Sequence, residues 1–439
     1  MEVAMANPQI LLCTVGTGDV GKLNETLLEP LKKSIRKGEW ERVILLPSQL
    51  TVENAGLLKV QLQDLPIIPR PLPRPGIEDD FDACFAHFDC VLEELRLAGA
   101  NPKSILVDIT RGTKAMSAAL ALAAINHDLP LIRYIFGKRD DRGMVKAGTE
   151  VVGEFRTTVA TSRKRLDDAY RFFLHGNFAA VLDILPDPAN FSVAFWPVEL
   201  AATTGFARGL AAFYAAWDRL DYVTAQQTVL PPHGERPSRW SDLIPSPAVR
   251  GWVAALAEPV PEAPADCARH LRLLVADLLA NGERRLRDHQ FEDAVLRAYR
   301  VLELVGQIRL ADQGLLSDSL PPDHPTVKKF QEELIKKNST PLGEKEGKLV
   351  AAREQVARLL KRLGDPLATR MIELASEGVV TAKSRNNSAL IHGFKATGGS
   401  DPQPLQTLYA RLQQLLIDDS GPAALERLAT ARSLNFAMN

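Results

Sequence analysis

Ile10-Leu11-Leu12-Cys13-Thr14-Val15-Gly16-Thr17-Gly18 is a short apolar run that gives way to two glycines, and its reading decides the fold of everything before residue 159. The run is too short for a buried helix and is bounded by turn residues, so it reads as a strand. A helical pattern follows from Lys22 to Arg36, then a second apolar run from Arg42 to Leu46. Strand, glycine turn, helix, strand is a βαβ unit, which calls for a parallel sheet covered on both faces. Ser104 to Ile109 and Leu131 to Phe136 supply two more strands, separated by an alanine-rich helix from Lys114 to Asn126. Asp80 to Leu97 reads as a helix after a proline-studded loop, Pro66 to Pro75, and Met144 to Thr158 alternates like an antiparallel hairpin at the sheet edge.

The totals exclude several classes. The 439 residues are 46% hydrophobic and 24% charged, as in an ordinary globular protein. A formal charge of −1 argues against wholesale coating of a polyanion and leaves room for a local basic groove. Cys13, Cys84, Cys90 and Cys267 form no C-x-x-C pair and have no histidines at zinc-ligand spacing, so a reduced cytosol fits and a structural metal site does not. Met1 to Pro8 lacks the features of a secretory leader, and no stretch is apolar for a membrane-spanning length, so a cytoplasmic location away from membranes is expected.

Two nucleotide motifs overlap at the first turn. Gly16-x-Gly18-x-x-Gly21 matches the dinucleotide fingerprint, but the second strand ends in Pro47-Ser48-Gln49 and offers no acid for a ribose. Gly16 to Lys22 matches G-x-x-x-x-G-K, but Leu23 stands where a hydroxyl would hold magnesium. A nucleotide-cofactor enzyme is therefore disfavoured. A second polar loop, Asp108-Ile109-Thr110-Arg111-Gly112-Thr113-Lys114, falls where a buried strand gives way to a helix. Its hydroxyls, glycine, two cations and helix N-terminus suit phosphate and ribose, and both loops fall at the carboxyl edge of the sheet, where one ligand can touch both.

Gly16-Thr17-Gly18 together with Asp108-x-Thr110-x-Gly112-Thr113-Lys114 resembles the sensor domain of CRISPR-associated Rossmann-fold (CARF) proteins. The resemblance covers roughly the first 150 residues. It implies that these loops, with Arg111 where the family often has glycine, line a dimer-interface pocket for a cyclic oligoadenylate.

From Thr161 onward the apolar period lengthens to about 3.6. Helical stretches run from Arg163 to His175, Phe178 to Leu185 and Glu199 to Gln227, the first two joined by His175-Gly176-Asn177. Pro231 to Pro264 reads as a partly ordered connector containing Trp240 and Trp252. Asp266 to Asp288 and Phe291 to Gln313 are strong helices, the second with a polar stripe of Tyr299, Arg300, Glu303 and Gln307, of which Arg300 or Glu303 could orient site residues. The chain thus divides at 1–158, 159–265 and 266–439: an α/β front, a helical connector and an all-α C-terminal region.

Near the end stands Ser384-Arg385-Asn386-Asn387-Ser388-Ala389-Leu390-Ile391-His392-Gly393. On a helix, seven residues span two turns, so Arg385 and His392 project from one face about 10 Å apart. Arginine is a permanent forked donor for phosphate, and a free imidazole exchanges protons near neutrality. Ser384 can cap the helix start and Gly393 can end it. Arg284 and His289 have similar spacing but lack Asn after the Arg and Gly after the His.

An all-helical domain carrying Arg385-Asn386 and His392-Gly393 resembles the HEPN ribonuclease fold, and a CARF-like front ahead of a HEPN-like back resembles the auxiliary ribonucleases of type III CRISPR systems. The resemblance implies a homodimer that cleaves single-stranded RNA without metal or cofactor and is activated by cyclic tetra- or hexa-adenylate. In that reading Arg385 binds the scissile phosphate, His392 transfers a proton or orients the 2′-hydroxyl, and Asn386 helps hold either one. The alternative is a non-catalytic sensor whose rear helices bind a partner or nucleic acid.

Overall fold

The computed structural model describes residues 9–138, 141, 145, 148–191, 196–232, 239–376, 403–434 and 436. The chain forms two compact units, Met1–Ala169 with Ile184–Gly205, and Tyr170–Asp183 with Phe206–Asn439. Within the connector expected at 159–265 it crosses between units three times, after residues 169, 183 and 205.

The first unit is built on a six-stranded sheet. Its strands are β1 (Ile10–Val15), β2 (Arg42–Pro47), β3 (Ile67–Pro69), β4 (Ile105–Asp108), β5 (Leu131–Phe136) and β6 (Val151–Arg156), in the order β3-β2-β1-β4-β5-β6. The first five are parallel and β6 is antiparallel to β5. All six residues of β1 are buried. Successive side chains point to opposite faces, so Leu12, Ile44 and Val107 pack with Phe88, Leu92 and Leu120. Leu11, Leu45 and Leu106 pack with Leu31, Ile35 and Leu58 on the other face. The covering helices are α1 (Glu29–Ile35), α2 (Val52–Gln61), α3 (Phe81–Leu97) and α4 (Lys114–Asn126). Asp80 caps α3 by accepting from the Ala83 N–H, and Thr113 caps α4 by accepting from the Met116 N–H.

The front departs from the sequence reading in three places. Ile67–Pro69, expected as loop, pairs with β2 at the sheet edge, where a proline's missing N–H costs no ladder bond. Of the edge hairpin expected within Met144 to Thr158, residues 144, 146 and 147 lie outside the described residues, and the described strand, β6, pairs instead with β5, with Phe136 opposite Val151 and Leu131 opposite Arg156. The helix expected from Lys22 begins as a π-helical turn at Asn24–Leu28 before α1.

The helices that follow are α5 (Thr158–Leu174), α6 (Phe178–Ile184), α7 (Val198–Asp218), α8 (Tyr222–Gln227) and α9 (Pro247–Ala257). Gly176 at φ +75° makes the α5–α6 turn. Within the stretch expected as a partly ordered connector, residues 233–238 lie outside the described residues, and the segment that follows is anchored by two tryptophans. Trp240 and Trp252 are buried, Trp240 meets Phe173 edge-to-face at 5.6 Å, and Trp252 donates to Asp277 at 3.2 Å. Asp277 also accepts from Trp217 at 2.9 Å and Tyr222 at 2.8 Å, so three donors satisfy a carboxylate whose burial raises its pKa.

Among the described residues, the C-terminal bundle comprises α10 (Pro264–Arg287), α11 (Phe291–Asp312), α12 (Pro325–Lys336), α13 (Arg353–Arg362), α14 (Ala368–Ser376), α15 (Gln403–Ser420) and α16 (Pro422–Ala431), with a short hairpin pairing Gly343–Lys345 with Lys348–Val350. Among the described residues no helix is long and apolar enough to cross a membrane. Two arginines lock the bundle. Arg272 on α10 grips Asp312 of α11 at 2.7 and 3.1 Å and Asp419 of α15 at 2.8 and 3.1 Å. Arg309 joins Asp365 at 2.8 Å and Asp419 at 3.2 Å. Burial alone would lift the Asp419 carboxyl, but Arg272, Ser420 and Arg309 outweigh it and hold its pKa below the ordinary carboxylate value. A depressed pKa contributes stability that is complete above about pH 4 and is lost as pH falls through the folded-state value. Asp419→Asn should therefore lower stability by about 3 kcal/mol at pH 7, and the gap should close progressively below about pH 4 in urea denaturation series.

Candidate functional sites

Strand order reverses direction at β1, whose neighbours are β2 and β4, so the chain leaves β1 and β4 toward helices on opposite faces and their loops lie side by side at the carboxyl edge, flanking the crevice where open α/β sheets bind ligands. The two glycine loops named from sequence meet at this crevice. A Cβ on Gly16 would lie 2.9 Å from the Gly112 nitrogen and 3.3 Å from its Cα, so the backbones touch and leave no room for a side chain. Gly112, at φ +120°, packs equally tightly on Thr14. Gly18, at φ +69°, turns the chain back over Leu23 and Leu27.

The polar residues of the second loop divide by role. Asp108 is 1% exposed and spends both oxygens internally, accepting from the Ser34 hydroxyl, the Thr110 hydroxyl and, at 2.8 Å, the Thr110 N–H. Burial raises its pKa, against the opposing pull of those donors and of Arg133. Thr110 also accepts from the Ile135 N–H at 2.9 Å, and Thr113 donates its hydroxyl to the Glu78 carbonyl while capping α4. These three shape the loop from beneath. Thr17 and Lys114 are exposed, and Arg111 is half-buried, with an Nε that is shielded from solvent and has no hydrogen-bond partner. Burial lowers the Arg111 pKa, while Asp108, Glu150, Tyr134 and Asp19 act to raise it. Two cations, a glycine-lined floor and the start of the thirteen-residue α4 give this crevice the character of an anion site.

Sequence reasoning missed the supports. Asn54 donates to the Gly16 carbonyl at 3.0 Å and Thr51 to the Val15 carbonyl at 2.9 Å. Arg133 is 2% exposed, donates to the Ser34 carbonyl at 2.5 Å and pairs with Glu154 at 2.7 Å. Only Arg133 carries a signal, as one charge inside the apolar run Leu131 to Phe136.

In the C-terminal bundle, Arg385, Asn386 and His392 lie outside the described residues, as do Ser384 and Gly393. The helices on either side of that stretch are described. Arg370 of α14 forms an ion pair with Asp418 of α15, and Tyr409 of α15 donates to the Ala294 carbonyl of α11 at 2.7 Å. Gly282 of α10 leaves the space that the Tyr409 ring and hydroxyl fill, so α15 approaches α10 closely. The rival pair is structural: Arg284 is 5% exposed and pairs with Asp218 at 2.9 Å, and His289, at φ +58°, ends α10. On α11, Arg300 pairs with Glu303 at 2.5 Å, and Arg353 lies over the Tyr299 ring at 4.0 Å. Arg300 and Gln307 also line a cavity of about 650 Å³ with Cys267, Asp318 and Lys348.

The two backbones at the crevice give a direct test. Gly16→Ala should cost about 1–3 kcal/mol of stability in the front unit, read by chemical denaturation, because the added carbon meets main chain that cannot rotate away.

Residues 266–416 match the model of the Csm6 HEPN domain. Among solved structures, Enterococcus italicus Csm6 bound to cyclic hexa-2'-fluoro-hexa-dAMP aligns over 98% of this chain and 99% of its own, at 11% identity and a TM-score of 0.49. Can2 from Sulfobacillus thermosulfidooxidans, in complex with cyclic tetra-adenylate, aligns over 50% of this chain and 68% of its own, at 16% identity and a TM-score of 0.22. No curated protein matches the sequence. The chain thus joins a Rossmann-like α/β front to a helical back whose residues 266–416 match the Csm6 HEPN domain model.

Proposed function

We propose that this protein is an endoribonuclease of single-stranded RNA in CRISPR defence, switched on by a cyclic oligoadenylate held at the front crevice. The observation that carries this reading is the Csm6 HEPN match, whose span from 266 to 416 contains Arg385, Asn386 and His392. RNA brings its own nucleophile. The 2′-hydroxyl attacks the adjacent phosphorus, the bond to the 5′-oxygen breaks, and a 2′,3′-cyclic phosphate and a 5′-hydroxyl result. The protein has to position the phosphate and move protons, which requires no metal. Arg385 holds the phosphate and its developing charge, His392 transfers the proton or orients the 2′-hydroxyl, and Asn386 steadies either side chain.

The front crevice suits the activator by its chemistry. Gly16, Thr17, Gly18 and Gly112 let a ribose-phosphate ring approach main chain, and Arg111 and Lys114 meet its charge. Asp108, Thr110 and Thr113 hold the loop in shape. An even-membered ring of identical nucleotides can carry a two-fold axis, which fits a homodimer with one ring on its axis and both Arg385/His392 pairs meeting at that axis. Ring binding activates only through a higher affinity for the active arrangement.

A fluorescent RNA reporter, assayed with cyclic tetra- or hexa-adenylate and without either, tests the whole reading. One ring should raise the rate, chelator should leave it unchanged, and a DNA reporter should stay intact. Arg385→Ala and His392→Ala should each lower turnover at least about 100-fold with an unshifted melting temperature. Loss of stability with no activity in the parent protein would instead indicate a sensor whose helical back only binds.

A further inference from the structure

Between α12 and α13 lies a groove of about 310 Å³ whose charge is unbalanced. Its apolar floor is Phe330 and Leu334, both buried. Its one carboxylate, Glu333, is taken by Arg362, which also lies 5.2 Å from the centre of the Phe330 ring. Lys337, Arg358 and Lys361 line the same groove and are exposed. None of the three side chains makes an ion pair or hydrogen bond among the described residues.

Local helix electrostatics account for only part of this. Lys337 follows the last residue of α12 and Lys361 lies in the last turn of α13, where each helix end presents roughly half a negative charge. Arg358 sits a turn earlier, and three cations against two half-charges leave a surplus of about two. Helix geometry aims them together. Phe330, Glu333, Leu334 and Lys337 fall at three- and four-residue steps on one helix, and Arg358, Lys361 and Arg362 do so on the other. Asn338, at φ +50°, reverses the chain after α12, so that Ser339 also lines the groove. The stretch from 328 to 362 holds ten lysines and arginines against five acids, in a chain whose formal charge is −1.

From this surplus we propose that the groove, built from residues other than the Arg385/His392 motif, is a docking site for backbone phosphates of single-stranded RNA. The proposal rests on the ribonuclease reading for its choice of polyanion. Phe330 is 1% exposed and offers no ring face for a base, so contact is through phosphate and is insensitive to sequence. The groove thus adds affinity to substrates long enough to reach it.

The test uses the full-length protein and a fluorescein-labelled 2′-O-methyl oligoribonucleotide, which keeps the phosphates but lacks the attacking hydroxyl. Anisotropy titrations across a range of KCl concentrations give the affinity and its salt slope. Three lost phosphate contacts should lower the slope by about 2, and the variant Lys337→Ala/Arg358→Ala/Lys361→Ala should bind at least about tenfold more weakly. In cleavage of ordinary RNA the same variant should show a raised KM with kcat retained. The swap Lys337→Arg/Arg358→Lys/Lys361→Arg should restore both. If the triple variant is unstable, Lys337→Gln and Lys361→Gln singly should each remove about 0.7 from the slope. An unchanged slope and affinity overturns the groove, as does a wild type that does not bind the oligonucleotide. Binding lost in the variant, with no RNA cleaved by the wild type under any ring, supports the groove and overturns the nuclease. Cleavage with unaltered binding in the variant overturns the groove alone.

Discussion

A parallel sheet covered by helices on both faces has only its strand ends left for chemistry. In the front unit β1 is buried along its whole length, so its polar business is pushed to residues 16–18 at one end. The loop after β4 is treated alike, and the reversal of strand order at β1 brings the two loops together. Contact between the Gly16 and Gly112 backbones is the tightest expression of this constraint. Everything beneath the crevice serves that contact: Asp108 shapes its own loop, Ser34 and Arg133 support Asp108, and Asn54 holds the Gly16 carbonyl.

The C-terminal bundle solves a different problem. Its helices are joined by shared carboxylates as well as by apolar packing, and Asp419 serves two arginines from two helices at once. A buried ion cluster adds little net stability over an apolar core, but it is demanding about geometry. That demand fixes α15 against α10 and α11, and hence fixes one of the two helices that flank residues 377–402.

Much of the front was legible in the sequence because its signals are local. Apolar runs of strand length, a glycine turn and Thr113 before an alanine-rich helix each announce themselves within a few residues, and α4 runs from Lys114 to Asn126 as read. Ile67–Pro69 was not legible, since prolines mark loops far more often than edge strands. Nor was the packing of Trp240 and Trp252, which depends on aromatic and carboxylate partners distant along the chain, Phe173 and Asp277 among them. At the crevice the sequence pointed to the right loops but not to the division within them, because burial separates Asp108 from Lys114 and no spacing rule reports it.

The chain's three crossings between units bear on how the protein is made. The front unit includes 184–205, so it lacks a constituent part until the ribosome has passed residue 205, by which time 170–183 of the other unit has already been made. Vectorial synthesis ordinarily lets an N-terminal domain close before the next begins. Here the chain alternates between the two, and cutting after residue 169 would release a front without its 184–205 strip, which makes separately expressed halves poor stand-ins for the whole.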